Sequence, residues 1–414
     1  MASDSNAATN KPSTPFEWLS GGLFFGKSKG GIESIDSSKD VQSLLSGLQA
    51  NLDRILALKQ QPDTEEGGTE ESNDPSKFLA ARLSRLRFLL YDERRMTSQQ
   101  EPRRGASPAV AGATLAGLTK PEQAELIPRL LENLSELPFE SRKHVAAVFN
   151  YMLVCGLEGS DASLYQPAME QFRDYVESLY ERLLTTIING HEEVGDIALH
   201  FGSMYRSCIR HPSLYRQLVG TTERAQSFVF PFLDKYVHLP NFDVSSDAME
   251  SLRLVCSAGG DRVADEEAQQ AMAAIAADFF IRDYEALWED RFNGKLLADT
   301  ANYMTRRCGL QILSSALLTR SNYEMMIRYV QSRSNLILVM GLLRDTSPHI
   351  TLDAFHVFKV FVANPNKPPE IIKILRDNKV KLCRYLTTLH QDREESDTQF
   401  RDEKALIIAT IEGL

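Results

Sequence analysis

The feature that most constrains this sequence is a helical pattern that recurs five times between residues 144 and 362. Each copy opens with a charged or polar residue and continues with apolar residues at i, i+3, i+4 and i+7, the spacing of a helix with one buried face. The copies start 52, 51, 60 and 46 residues apart. They are HVAAVFNYML from His144, DIALHFGSMY from Asp196, DAMESLRLVC from Asp247, RCGLQILSSA from Arg307 and DAFHVFKVFV from Asp353.

The length of the repeat predicts its architecture. A unit of about 50 residues holds three helices joined by short turns, slightly more than the ~40–47 residues of armadillo and HEAT units. Such units cannot bury their apolar faces alone and therefore stack. We predict an all-α fold, an armadillo/HEAT-like right-handed α-solenoid of stacked three-helix repeats with a concave binding face. An irregular helical bundle is the alternative.

Composition divides the chain into three parts. Residues 1–35 are rich in Ser, Gly, Asn and Pro and are predicted to form a flexible tail, with the helical repeat domain at 36–414. Residues 62–75 carry six acids and no base, and we interpret them as a disordered acidic insertion. Residues 82–104 are basic, with seven Arg against three acids, which favours a solvated helix face followed by a loop.

Charge and hydropathy exclude several classes of protein. Six of the charges behind the net charge of −10 lie in the acidic insertion, so the remaining chain is only mildly acidic and shows no nucleic-acid footprint. No apolar run approaches the ~18 residues of a membrane span, and we expect no secretory leader. The five cysteines lie far apart, which predicts reduced, packed thiols rather than metal or redox pairs.

No catalytic or cofactor motif withstands inspection. The string GGLFFGKS at 21–28 fits the P-loop formula, but a phosphate loop needs a strand before it and a helix starting at the lysine. Prolines precede this string and the glycine pair at 30–31 follows it, so an enzyme that uses it is a disfavoured alternative. The histidines form no metal motif, and His356 is interpreted as a satisfied core or groove residue. We predict a non-enzyme without metal or cofactor.

Two segments suggest binding rather than packing. Residues 302–307 (NYMTRR) place an aromatic residue and two arginines at the start of a repeat helix, where the groove should run. Residues 353–367 carry more apolar residues than one helical stripe needs. On the residues alone, an ordinary charged helix start and the core of a terminal repeat are the favoured explanations, and binding stays open as the alternative.

Several strings resemble the calcium-binding protein 39 family, and within it the filamentous-fungal conidiophore development (hymA) branch. The match runs in order from about residue 24 to residue 414. It is carried by FFGKSK (24–29), CIRHPSL (208–214), NFDVSSDA (241–248), GLLRDTS (341–347), AFHVFKVFVANPNK (354–367) and QFRDEKALI (399–407).

This resemblance implies a function. The family consists of non-catalytic armadillo-like scaffolds that bind and activate protein kinases. Its animal members bind the STRAD pseudokinase, and thereby activate the LKB kinase, and also activate germinal-centre kinases of the sterile-twenty type. Fungal members act in polarity and morphogenesis. A monomeric, cytoplasmic scaffold enriched at sites of polarised growth is therefore expected.

The resemblance also implies two sets of contact residues. The kinase-binding concave face would use Lys143, Phe242, Tyr303, Arg307 and Arg320, with Gln311 in place of a basic contact. A pocket for a Trp-Glu-Phe tail would use Met340 and Lys381, but Ile337 and Asp377 replace two lysines and weaken its positive rim.

The alternative function is a generic armadillo peptide-groove adaptor without kinase activation. Such an adaptor would present a ladder of Asn and Trp residues along the groove, and this chain has only Trp18 and Trp288.

Overall fold

The computed structural model describes residues 38–60, 74–90, 108–157, 162–193, 195–260 and 266–414. The predicted tail, the P-loop-like string and residues 62–73 of the predicted insertion lie outside these ranges. Asp74 and Pro75 instead belong to a helix start, where Asp74 Oδ1 accepts the backbone N–H of Ser76 at 2.8 Å. Every regular element in the described ranges is a helix, so the all-α prediction is confirmed.

The helices are numbered in chain order. The first eleven are α1 (Ser38–Lys59), α2 (Pro75–Leu90), α3 (Pro108–Leu118), α4 (Leu126–Glu132), α5 (Phe139–Leu157), α6 (Ala162–Asn189), α7 (Asp196–Ile209), α8 (Pro212–Val219), α9 (Thr222–Phe228), α10 (Phe230–Asp234) and α11 (Phe242–Cys256).

The rest of the chain continues the pattern. Its helices are α12 (Glu266–Arg282), α13 (Tyr303–Leu318), α14 (Tyr323–Gln331), α15 (Arg333–Leu342), α16 (Pro348–Ala363), α17 (Pro369–Asp377), α18 (Lys379–Thr388), α19 (Gln391–Glu394) and α20 (Thr398–Glu412). A π-helix, Glu285–Leu296, lies between α12 and α13. Within the described ranges, no helix has the length and apolar character needed to cross a membrane.

One helix from each unit packs beside its counterpart in the next unit. This inner row consists of α2, α5, α7, α11, α13, α16 and α20, in that order. The five recurring segments of the sequence all lie in α5, α7, α11, α13 and α16. The prediction of stacked armadillo-like repeats is therefore confirmed, and the row gains one member at each end that the sequence pattern did not reveal.

The units do not all contain three simple helices. The single 28-residue helix α6 precedes α7 where two helices were expected. Between α8 and α11 the chain forms the two short helices α9 and α10, and the π-helix takes the middle position before α13. Its wide turns bury Trp288 and Phe292 with ring centroids 4.5 Å apart. Aromatic packing thus replaces regular helix geometry in this unit.

Charged pairs link neighbouring segments along the row. They are Arg142–Asp196, Arg206–Asp247, Arg306–Asp345 and Lys359–Glu403, with N···O distances of 3.3, 2.7, 2.6 and 2.7 Å. Because partly buried ions lose hydration, such pairs add little net stability, but losing one partner is costly. The pairs therefore act mainly by fixing how far one helix is shifted along the next.

Gly202 permits the closest approach between α7 and α11. A Cβ at this position would lie 1.8 Å from Asp247 Oδ2, the carboxylate paired with Arg206. We expect Gly202→Ala to displace Asp247 and lower the free energy of unfolding by about 3 kcal/mol, through overpacking and a broken buried pair. Urea denaturation measures the change.

Gly341 offers the matched control for this substitution. It lies in α15, and a Cβ there would meet no atom within 4 Å. Gly341→Ala should be neutral or should stabilise the protein by up to about 1 kcal/mol, because Ala favours a helix over Gly. Equal destabilisation by both substitutions would contradict the role assigned to Gly202.

His211 makes the stability depend on pH. It is buried at the start of α8, and burial, with a smaller contribution from Arg210, lowers the pKa of its imidazole to about 4. The unfolded chain binds this proton near pH 6.5, so between pH 6.5 and about 4 the unfolded state holds more protons. Stability present above pH 6.5 is therefore lost as the pH falls, by up to about 3 kcal/mol.

The measurement is urea unfolding at pH 7 and pH 4.5. His211→Gln should reduce the loss of unfolding free energy between these two values. His349→Gln, at an exposed histidine of α16, should leave the loss as it is in the wild type. An unchanged pH dependence in His211→Gln would rule out this histidine as its source.

Candidate protein-binding face of the inner row

The starts of the row helices present aromatic side chains to solvent. Asn302 Oδ1 accepts the backbone N–H of Thr305 at 2.9 Å and so fixes the first turn of α13, leaving the next residue, Tyr303, 42% exposed. Asn241 caps α11 in the same way, and Phe242 after it is 62% exposed. Exposed aromatic side chains on a well-packed framework are typical of protein interfaces.

The predicted concave-face residues are spread across this row. Lys143 lies on α5 and Arg307 on α13, three helix-to-helix steps apart along the row. At 8–10 Å per step this distance is about 27 Å. Arg320 follows the end of α13, about 20 Å along the helix from Arg307 at 1.5 Å per residue. The set therefore covers a surface suited to a folded partner rather than a single side chain.

Two neighbouring side chains position Arg307, and its guanidinium keeps hydrogen-bonding capacity for a partner. Its Nη1 lies 3.5 Å from Tyr303 Oη, and its Nε lies 3.5 Å from Asp353 Oδ2 without forming a hydrogen bond. Its Nη2 has no partner among the residues that the structure describes. A guanidinium held this way can offer a fork of donors to a carboxylate of a partner.

Asp353 on α16 sets the electrostatics beside Arg307. Its side chain is largely buried, and its Oδ2 also accepts a hydrogen bond from Gln311 Nε2 at 3.2 Å. Burial raises the pKa of the Asp353 carboxyl, while Arg307 and the hydrogen bond from Gln311 oppose that rise. Arg307 thus offsets part of the effect of burial on the Asp353 carboxyl.

A cavity opens beside this pair, between α13 and α16. It has a volume of about 240 Å³ and is lined by Gln311, Ser314, Ser315, Leu318, Asp353 and His356. The volume suits one large side chain of a partner. His356, interpreted from the sequence as a core or groove residue, lines this cavity and is half-buried. Burial lowers the pKa of its imidazole, with a smaller effect from Lys359.

For the other residues of this cavity, sequence reasoning named Gln311 as a replaced contact, missed Ser314, Ser315 and Leu318, and did not relate Asp353 to Arg307. A usable signal existed on α13, because Gln311, Ser314 and Leu318 continue the helical stripe that begins at Arg307. For Asp353 no comparable signal existed, since only the packing of α16 on α13 brings its carboxylate to Arg307.

The predicted carboxyl-terminal pocket lies off the inner row. Met340 is half-buried on α15 and Lys381 is exposed on α18, and α17 packs against both helices. Ile337 and Val380 expose apolar surface on the same helices, and Asp377 is exposed at the end of α17. Met340 and Lys381 are thus related through α17, and the pocket stays a prediction.

Two of the cysteine thiols lie in the packed interior of the row. Cys208 and Cys256 are buried, as predicted for packed thiols, and burial raises the pKa of Cys208 to about 12. The pKa of Cys256 is raised for the same reason. Within the described ranges, no three His, Cys, Asp or Glu side chains come close enough together to hold a metal ion.

Comparisons with known proteins agree with this architecture. The family model described as Mo25-like matches residues 33–414. Calcium-binding protein 39-like from Homo sapiens is 33% identical over 77% of this chain and 82% of its own length. The Mo25-like protein of Schizosaccharomyces pombe is 34% identical over 69% and 76%, and protein HYM1 of Saccharomyces cerevisiae 28% over 72% and 68%. A helical-repeat scaffold whose sequence matches this model over almost its whole length is a member of the Mo25-like family.

Proposed function

We propose that this chain is a non-catalytic scaffold that binds and allosterically activates a protein kinase. The kinase is of the germinal-centre, sterile-twenty type, or is an LKB-like kinase reached through a STRAD-like pseudokinase. The protein would act as a monomer in the cytoplasm, at sites of polarised growth, in polarity and morphogenesis signalling. Family membership supports the scaffold role, and the resemblance described above suggests the kinase.

One observation carries the proposal. On α13 the exposed Tyr303 stands beside the half-buried Arg307, which is backed by the partly buried Asp353 and lies next to a cavity for one side chain. Tyr and Arg are the residues most enriched at binding hot spots, where they combine large apolar contact with directional hydrogen bonds. The pair therefore supports protein recognition at this position of the row.

A rigid row also suits activation. A kinase is active when its regulatory helix is held inward and its lysine–glutamate ion pair is formed. A partner that binds this conformation better than the inactive one shifts the population toward it, by no more than the difference in binding free energy. A preformed surface loses little conformational entropy on binding, so more of that difference remains available.

The generic peptide-groove adaptor receives less support. That function needs tryptophans exposed along the groove, but Trp288 is fully buried against Phe280 and Phe292. In the described ranges, no group of side chains suggests that this protein catalyses a reaction. The proposal of a non-catalytic role therefore rests on family membership and on the aromatic and basic side chains at the surface of the row.

Substituting Arg307 tests the proposed face. Arg307→Ala should weaken binding of a germinal-centre kinase from the same organism by about 2 kcal/mol, or ~30-fold in Kd, because it removes the fork of donors from the centre of the face. It should also abolish stimulation of phosphate transfer. Titration calorimetry gives the Kd, and a radiolabelled kinase assay gives the rate.

Arg216→Ala is the matched control. Arg216 is exposed on α8, which is not part of the row, so its loss should change neither the Kd nor the rate. Both variants should keep the thermal transition of the wild type. A wild-type protein that binds the kinase without raising its rate would make the scaffold a tether and disprove activation.

A further inference from the structure

The first helix of the inner row has an unusual charge. The 16 residues of α2 include Lys77, Arg82, Arg85 and Arg87 and not one acid. Arg82 is engaged within the fold, since its Nη1 donates to the Gly47 carbonyl of α1 at 2.9 Å. The sequence predicted a solvated helix face followed by a loop over residues 82–104; of the arginines in α2, Arg85 is exposed, whereas Arg82 and Arg87 are half-buried. Solvation alone, however, does not explain the aromatic side chains that lie beside these charges.

Two large aromatic side chains share the exposed surface of α2. Phe78 and Phe88 are each 44% exposed, whereas the opposite side of the helix is buried. Arg85 lies between them in the sequence, is exposed, and makes no hydrogen bond or ion pair with any residue that the structure describes. A surface helix that needed only solubility would carry polar residues in place of these phenylalanines.

This surface continues onto α5, the next helix of the row. The guanidinium carbon of Arg87 lies 5.7 Å from the ring centre of Tyr151, which joins the two helix faces. On α5, Lys143 Nζ lies 4.4 Å from the ring centre of Phe139, which is also exposed. His144 lies within the influence of both cations, since Arg87 and Lys143 each lower the pKa of its imidazole, after burial as the main cause.

The arrangement on α5 repeats the one on α13. In both helices the first residue is an exposed aromatic, and a cation follows four residues later, one turn along: Phe139 and Lys143, Tyr303 and Arg307. Arg307 faces a partly buried carboxylate of the neighbouring helix. Among the residues that the structure describes, Lys143 has one ion-pair partner, the solvent-exposed Glu140 of its own helix, at 2.9 Å. An exposed pair of this kind contributes little and exchanges readily for another carboxylate.

We propose that Arg85, Arg87, Phe88, Phe139 and Lys143, the amino-terminal patch, dock an acidic peptide segment of a partner protein. Carboxylates of that segment pair with the three cations, and an aromatic or large aliphatic side chain packs between the two phenylalanines. This proposal goes beyond the proposed function: Lys143 is shared with the predicted kinase-binding face, but Arg85, Arg87, Phe88 and Phe139 are not, and the binding of acidic segments does not depend on kinase activation.

Charge favours a peptide over other acidic partners. Outside residues 62–75 the chain is still mildly acidic, so a long polyanion or an anionic lipid surface gains little attraction from the rest of the molecule. A short segment with a few carboxylates experiences mainly the local cations, because charges beyond about 8 Å are screened at physiological ionic strength. The half-buried phenylalanines then supply apolar contact at close range.

The test uses the full chain and a fluorescein-labelled probe. The probe is a twelve-residue peptide of Glu and Asp with one Phe and one Leu, and its neutral counterpart replaces every acid by Gln or Asn. Fluorescence anisotropy should show the acidic peptide binding at least tenfold more tightly than the neutral one at low salt. Raising the salt concentration should remove most of that difference.

Substitutions then locate the binding. Arg85→Glu combined with Arg87→Glu should weaken binding of the acidic peptide at least tenfold, and Phe88→Ala alone about threefold. Arg216→Glu combined with Arg333→Glu changes the net charge equally at exposed positions outside the row and should alter binding less than twofold. Circular dichroism checks that each variant is folded, and Arg85→Gln replaces the double variant if that one unfolds.

Several results would overturn the proposal. They are equal binding of the neutral peptide, undiminished binding by the patch variants, and equal loss in the Arg216/Arg333 control. Tighter binding of a 20-nucleotide single-stranded RNA or of phosphatidylserine vesicles, abolished by the same patch substitutions, would assign the surface to another class of partner. No kinase is present in this assay, so failure here is distinguishable from failure of the proposed function.

Discussion

The rest of this structure depends on the lateral packing of one row helix against the next. No unit can bury its own apolar face, so every helix of the row needs its neighbours. Buried tyrosines show how closely consecutive units are joined: Tyr215 Oη donates to the Val255 carbonyl and Tyr205 Oη to that of Phe228, both at 2.7 Å. Arg206 and Asp247 fix the register between α7 and α11, where Gly202 leaves room for the carboxylate.

The same packing explains how the row closes at its carboxyl-terminal end. Lys404 of α20 is buried, and its Nζ donates to the Leu389 carbonyl at 2.8 Å and pairs with Glu394. A buried ammonium group is tolerated because carbonyl oxygens and a carboxylate surround it. Lys359 joins α16 to the same helix through Glu403. These polar contacts join α20 to α16 and to the segment that precedes it.

A stack held in this way offers partners a surface that is fixed before binding. The row presents its aromatic residues at helix starts, where caps such as Asn302 hold the first turn. The charge differs from helix to helix. All charged residues of α2 are basic, whereas Arg307 of α13 pairs with the acidic Asp353 of α16. The framework therefore presents different chemistry at different points along its length.

The sequence by itself determined the fold class and the row. Helical periodicity at intervals of about 50 residues is a local signal, and burial follows it directly, so the recurring segments predicted α5, α7, α11, α13 and α16. The pattern also placed Tyr303 and Arg307 at a helix start. Only the tertiary structure decided what lies across from them, because contacts such as Arg307 with Asp353 join residues that sequence spacing does not relate. It likewise decided that Phe78 and Phe88 face solvent, since exposure depends on which side of a helix its neighbours cover.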